Sequence, residues 1–308
     1  MQFFKNPNID FMNSRKLAFL ISGSLMLLSI LSLIIHGGPR FGIDFKGGTF
    51  IELRFEDKNN PEALLNIPID KVRDALAKHN LASSEIKHYG SPQEIAIQTG
   101  VEKEVDIQIL ESLQEEFPEY NVIERRKETV GPKIGGELVE GAIKAIFVSL
   151  GLILIYIMFR FEFRYGVGAV AALFHDVLIT LGVFSLLDIE VSIPIVAALL
   201  TIVGYSLNDT IVVYDRIREN MKKRVTDYQA VVNSSINQTL SRTIITSGTT
   251  LLVVIILFFF GGEIIKDFAL ALLCGIVVGT YSSIFIASPI LVEWEARKKP
   301  VKVTAKRK

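Results

Sequence analysis

Three side chains carry charge inside stretches that are otherwise apolar. Asp176 follows His175 in Leu173-Phe174-His175-Asp176, Asp209 lies in Tyr205-Ser206-Leu207-Asn208-Asp209-Thr210, and Arg242 stands at the head of the apolar run that begins at Ile244. A charge placed within a membrane-crossing helix costs about 2.5 to 3.5 kcal/mol, so such a residue needs a partner, a cavity or a function. The chemistry open to this set is proton transfer. Desolvation favours the neutral form of a carboxylic acid and a nearby guanidinium favours the ionised form, so an acid moved between two such surroundings loads and releases a proton. The alternative for Asp209 is a static contact with Thr210, Asn208 or a neighbouring helix. For Asp176, which has His175 and Thr180 as local partners, relay and structural pairing are both open. His175 by itself reads as a packing or hydrogen-bonding residue.

Other constellations are poorer. Gly42 to Thr49 is glycine-rich but has no Gly-Lys-Ser/Thr opening a helix, so it is not a nucleotide loop. Its glycines instead permit a strained exit from the membrane into a strand. No nucleophile elbow or zincin motif indicates a hydrolase. The four histidines, His36, His79, His88 and His175, lack metal-ligand spacing, and the single cysteine, Cys274, sits in an apolar run where packing is its expected role. No metal or redox cofactor is assigned. Asp215 and Arg216 read as interfacial anchors at the end of a helix.

These residues need elements to position them. Half of the 308 residues are hydrophobic and the formal net charge is zero, with a mean hydropathy of +0.40, a balance too apolar for most soluble domains and without the basic excess of a nucleic-acid binder. Six runs are long enough for a hydrocarbon core of about 30 Å, which takes about 20 helical residues: Leu17 to Ile35, Ala142 to Phe159, Val167 to Leu187, Val191 to Val213, Ile244 to Phe260 and Phe268 to Val292. The first follows Arg15 and Lys16 like a signal peptide, but its length and the absence of an Ala-x-Ala site mark it as an uncleaved anchor. At about 1.5 Å per residue, Asp176 lies some 18 Å from Arg164, near the midplane, and Asp209 about 10 Å from Arg216. A snorkelling Arg242 has the reach to approach Asp209.

Cationic residues gather on one side. Lys5, Arg15 and Lys16 precede the first run, Arg160 and Arg164 follow the second, and Arg216, Arg218, Lys222, Lys223 and Arg224 follow the fourth. Arg297, Lys298, Lys299, Lys302, Lys306, Arg307 and Lys308 follow the sixth, while the opposite turns, Asp188-Ile189-Glu190 and Gly261 to Lys266, hold only Lys266. The positive-inside rule therefore predicts both termini in the cytoplasm. The expected organisation is a cytoplasmic N-terminus at 1–16, a first span at 17–36, an outer domain at 37–141, five further spans at 142–292 and a basic tail at 293–308. Gly38 to Gly141 holds 20 Asp and Glu against 13 Lys and Arg, a net of −7.

Within the outer domain Ile51, Leu53 and Phe55 alternate as in a strand, and Ile69, Val72 and Leu76 recur at helical spacing. Short strands are expected around Ile86 and around Ile95 and Ile97, joined by a turn containing Gly90 and Pro92. Val105, Ile109, Leu113 and Phe117 predict a second helix, with Thr99 and Glu102 as its capping box. A last strand from Tyr120 to Val130 completes a β-α-β-β-α-β order, that of a ferredoxin-like domain.

Five segments then carry a specific likeness: GIDFKGGT at Gly42 to Thr49, VGPKIGGEL at Val130 to Leu138, FRFEFRYGVGAVAALFHDVLITLG at Phe159 to Gly182, YSLNDTIVVYDRIREN at Tyr205 to Asn220 and SRTIITS at Ser241 to Ser247. In this order the chain resembles the SecF family, membrane subunits of the bacterial Sec protein-translocation machinery. The likeness runs from the first span through the sixth. It implies one six-helix half of a resistance-nodulation-division transporter, an all-α membrane bundle with an inserted α+β ferredoxin-like periplasmic domain, in the bacterial inner membrane. It further implies a non-enzymatic subunit that works with SecD and uses the proton-motive force to complete export of polypeptides after SecA has threaded them through SecYEG. YajC and YidC are implied as further partners. The family's intramembrane acid maps to Asp209 and its basic partner to Arg242, with another aspartate expected from SecD and Asp176 as a third candidate here. A charge crossing the membrane potential supplies about 2.3 kcal/mol per 100 mV, enough to bias a conformational equilibrium more than tenfold. Gly37-Gly38-Pro39 and Gly135-Gly136 are the expected hinges of the outer domain. Rival readings are a proton-driven exporter of small hydrophobic molecules and a passive assembly scaffold.

Overall fold

The computed structural model describes residues 7–101, 104–222 and 227–297. Lys5, Glu102, Lys223, Arg224, Lys298, Lys299, Lys302, Lys306, Arg307 and Lys308 lie outside the described residues. Among those described are six helical rods long and apolar enough to cross a membrane. They are α1 (Arg15–Ile35), α5 (Pro132–Arg160), α6 (Phe163–Leu186), α7 (Ile193–Met221), α8 (Tyr228–Phe260) and a composite sixth. The sixth runs as α9 (Glu263–Ser282), a π-helical turn (Ser283–Ala287) and α10 (Ser288–Ala296). Ser288 Oγ donates to the Ser283 carbonyl at 2.8 Å across this wide turn.

Several rods outrun the apolar runs. α7 and α8 continue at the end that carries the basic loops, where polar residues keep the helix going in a less apolar medium, while α5 begins ten residues before Ala142, at the opposite end. α8 shows this most: it starts 16 residues before Ile244, at an N-cap where Asp227 Oδ1 accepts the Ala230 N–H at 3.2 Å. Hydropathy marks only the lipid-bathed part of a helix.

Between α1 and α5 lies the domain expected on the outer side, for which the name outer domain is kept. After a short helix α2 (Ile43–Lys46) come β1 (Gly48–Asp57), α3 (Ile69–Ala77), β2 (Glu85–Tyr89), β3 (Ser91–Thr99), α4 (Val105–Glu116) and β4 (Tyr120–Val130). The antiparallel sheet has the order β2-β3-β1-β4, which is what two split β-α-β units produce. Ile51 faces Ile97 and Leu53 faces Ile95. With Phe55 they form a core closed by Val72 and Leu76 of α3 and by Ile109 and Leu113 of α4. The ring of Phe117 meets Phe55 edge-on at 5.3 Å.

Three local expectations are corrected. Pro92 lies within β3, leaving Gly90, at φ +78°, to make the hairpin turn. Thr99 ends β3 and does not cap α4, whose N-cap is Glu104 at φ +56° without a side-chain cap bond. Gly135 and Gly136 lie inside α5 and do not form a hinge. A Cβ at Gly135 would stand 2.7 Å from the Phe45 carbonyl oxygen, so this glycine lets α5 pack directly on the α2 backbone. On the entry side Gly37 and Gly38 do adopt positive φ, +73° and +118°.

In the bundle α6, α7 and α9 are central. α5 buries only Gly135 and Ile157, so nearly all of its apolar surface faces outward. At the end bearing the basic loops, Asp215 pairs with Arg160 at 2.9 Å and Arg216 with Glu219 at 2.9 Å. Arg164 lies against the rings of Tyr165 and Tyr228 and reaches Glu295 at 2.5 Å, while Arg15 pairs with Glu293 at 2.8 Å. The segment before α1 is held by side-chain amides of α8. Asn237 Oδ1 accepts the Ile9 N–H at 2.9 Å and Asn233 Oδ1 accepts the Phe11 N–H at 2.8 Å.

Candidate functional site

The close approach of α7 and α9 creates the site. A Cβ at Gly275 would fall 2.2 Å from the Ile202 side chain, and one at Gly279 would fall 2.9 Å from Ser206 Cβ. Helices lacking a hydrophobic drive to associate in lipid use such small residues to bring hydroxyl groups within bonding distance. Here the hydroxyls converge on two acids.

Asp176 of α6 is 1% exposed. Its Oδ2 accepts a bond from Ser206 Oγ of α7 at 2.6 Å and another from Ser282 Oγ of α9 at 2.8 Å. Its Oδ1 lies 2.9 Å from His175 Nδ1. One carboxylate thus joins three helices. Thr180, expected as a partner, donates at 2.8 Å to the main-chain carbonyl of Asp176 and leaves the carboxylate to the serines. His175 stacks on Tyr281 with centroids 6.1 Å apart, and the Tyr281 hydroxyl donates to the Ala18 carbonyl of α1 at 3.1 Å.

Asp209 of α7 is 2% exposed and less fully satisfied. Ser247 Oγ of α8 donates to its Oδ2 at 3.1 Å, and Thr280 Oγ1 of α9 donates to Ser247 Oγ at 2.8 Å. The polar contact of Asp209 is therefore with a neighbouring helix, not with Asn208 or Thr210. Arg242 is on the exposed side of α8, five residues from Ser247, and no ion pair joins it to Asp209. The structure brings Asp176 and Asp209 onto the same α7–α9 seam and leaves Arg242 at its border.

Ser206, Ser247, Thr280 and Ser282 were not among the residues expected from sequence. Small hydroxyl residues are ordinary in membrane helices, but the spacing offers a signal: Ser206 and Asp209 are three apart and share a helix face, as do Gly279 and Ser282.

The outer end of the seam carries a second polar cluster. Arg40 contacts carboxylates of Glu85 at the start of β2 and of Asp188 and Glu190 in the α6–α7 turn. Burial opposes its charge, yet these acids prevail and raise the guanidinium pKa above its ordinary value. Glu190 is shifted up chiefly by burial, with Glu85 adding to the rise and Lys87, Arg40 and Lys46 opposing it. A cavity of 520 Å³ separates this turn from the open face of the sheet, with Phe50, Tyr89 and Arg126 on its wall.

Against known proteins, the family described as "Protein export membrane protein SecD/SecF, C-terminal" matches residues 109–297, and the "SecD/SecF GG Motif" matches residues 32–58. The chain is 48% identical over 307 residues to the protein translocase subunit SecF of Rhodothermus marinus, covering 96% of each. It is 47% identical over 296 residues to that of Vibrio alginolyticus, covering 94% of this chain and 91% of the relative. A crystal structure of SecDF from Thermus thermophilus, described as a translocon-associated membrane protein, superposes with a TM-score of 0.84 at 42% identity. That match covers 95% of this chain but 39% of the other, so the chain spans about two-fifths of the length of SecDF. SecDF in a super-membrane-facing form matches with a TM-score of 0.69 at 40% identity over 96% of this chain and 40% of that one.

Proposed function

Because this chain belongs to the SecF family of protein-translocase subunits in the SecD/SecF group of protein-export membrane proteins, we propose that it couples export to the proton-motive force through Asp209. In this reading Asp209 alternates between a neutral and an ionised carboxyl, Arg242 is the cation that favours the ionised state, and Asp176 is a secondary candidate in the relay. The observation that carries the proposal is the contrast between the two acids. Asp176 accepts bonds from Ser206 and Ser282 and has His175 Nδ1 2.9 Å from its other oxygen. Asp209, equally hidden from solvent, has one donor at 3.1 Å. A buried ionised carboxylate with so few donors is poorly stabilised, which makes Asp209 the acid with most to gain from changing state.

SecD is the natural partner, since the SecDF structures that this chain superposes on are more than twice its length. The exposed side of Arg242 on α8 supports a site completed by that second half. The translocon SecYEG, YajC, YidC and the exported polypeptide are proposed as further contacts. Both termini are assigned to the cytoplasm, and residues 37–141 to the periplasm, on the one-sided gathering of Lys and Arg.

Replacing Asp209 with Asn in the assembled complex tests the proposal. The amide retains a hydrogen-bonding oxygen but cannot cycle through ionisation. The expected result is a normally assembled complex in which an imposed proton gradient no longer speeds late export. Undiminished gradient-driven export in D209N would leave the chain as a passive scaffold.

A further inference from the structure

Helix α7 has no acidic residue in its own first turn. Its N-cap, Ser192, makes no side-chain cap bond, and Pro194 has no N–H to offer. The amides of Ile195 and Val196 bond to the Ser192 carbonyl at 3.1 Å each. That leaves the Ile193 N–H as the unspent donor of the helix start, and it is taken from a distant part of the chain: Asp44 Oδ2 accepts it at 2.9 Å. Asp44 belongs to α2, in the linker that carries α1 into β1. Its negative charge also faces the positive end of a helix 29 residues long.

The same linker is sewn to the α6–α7 turn by its backbone. The Val191 N–H bonds to the Arg40 carbonyl at 2.6 Å and the Gly42 N–H bonds to the Val191 carbonyl at 3.0 Å, making a parallel bridge between Phe41 and Val191. Beneath it Phe45 packs with Phe184, Val191 and Ile195. On its far side the linker passes through Gly47 and Gly48, at φ +75° and +146°, straight into the central strand β1.

We propose that Asp44 is a positioning residue that fixes the outer end of α7 to the linker, so that α7 and β1 move as one strut. The inference rests on the reading of Asp209 as the proton-binding group: that acid lies on α7, and Asp44 is what makes a shift of α7 a shift of the outer domain. No hinge in α5 is required.

The test uses the full chain assembled with SecD in proteoliposomes, measuring release of an export intermediate with and without an imposed proton gradient. Asn accepts the same N–H bond and is itself a good cap, so D44N is expected to keep the stimulation. D44A is expected to lower it about fivefold, the factor that corresponds to about 1 kcal/mol of lost cap, with gradient-independent export and complex recovery unchanged. A disulfide between Phe41→Cys and Val191→Cys should then restore stimulation to D44A, since a covalent link replaces the missing cap. Full stimulation in D44A, equal damage in D44N, or an assembled and crosslinked D44A that stays unstimulated would each overturn the strut. If D44A does not assemble, the crosslink alone decides: stimulation retained in the crosslinked native-Asp44 chain supports the strut, and its loss on oxidation refutes it. Failure of the proton reading is distinguishable, because it would appear as full stimulation in D209N whatever Asp44 does.

Discussion

Gly279 of α9 rests against Ser206 of α7, so close that a Cβ at position 279 would lie 2.9 Å from that of the serine. This contact sets how near the two helices come, and so whether Ser206 and Ser282 can both reach Asp176. Gly279→Val should force the helices apart and destabilise the bundle by about 1 to 3 kcal/mol, the usual range for overpacking. Thermal unfolding in detergent measures it. A variant as stable as the parent would mean that the seam is loose.

Ser206→Ala and Ser282→Ala each remove one of the two hydroxyls on Asp176 Oδ2. Interhelical hydrogen bonds in membranes average about 0.6 kcal/mol and reach about 1.7. Each single change should fall in that span. Because both serve one oxygen, the double variant should depart from the sum of the singles. A double-mutant cycle on unfolding free energy checks this, and strict additivity would show that the two bonds are independent.

Glu190 gives a pH dependence with a definite sign. Burial raises its pKa above the ordinary 4.5, so the ionised carboxylate weighs against the docked arrangement of the outer domain at neutral pH. The penalty is complete above the raised value and vanishes below 4.5, where the acid is protonated whether docked or not. Glu190→Gln should therefore be more stable than the parent at pH 7, with the difference closing on acidification. Melting curves across that interval test it; a variant less stable at pH 7 would show that the Arg40 contact outweighs burial.

Leu53 is fully buried at the centre of the outer core. Leu53→Ala should cost about 2 to 5 kcal/mol, as other leucine truncations in tight cores do. Since that core is separate from the bundle cores, the loss should appear as proteolytic cleavage within residues 48–130 while the helices stay protected. Cleavage spread evenly over both parts would mean that they unfold together.

The parts legible in sequence are those where a pattern contradicts its surroundings. Asp176 and Asp209 stand out because an acid among Leu, Ile and Ala has no ordinary reason to be there. The sheet was readable because Ile51, Leu53 and Phe55 alternate strictly. What escaped depended on partners far along the chain: Asp44 caps a helix that begins 149 positions later, and no local rule connects them. Gly135 was misread for the same reason. A glycine pair after a strand resembles a hinge until the neighbouring backbone, 90 residues earlier, is known to press on it. Thr99 with Glu102 matched a capping pattern, but β3 continues through Thr99 to stay paired with β1.

The π turn at Ser283–Ala287 inserts an extra residue into the winding of the sixth rod. Everything beyond it is rotated by about 100° from where an unbroken α-helix would carry it. Glu293 and Glu295, which clasp Arg15 and Arg164, owe their bearing to that added residue. Deleting any one residue of the turn would leave the composition of the rod almost unchanged and yet swing both acids away from their arginines together, as a key cut one notch short misses every pin behind the notch.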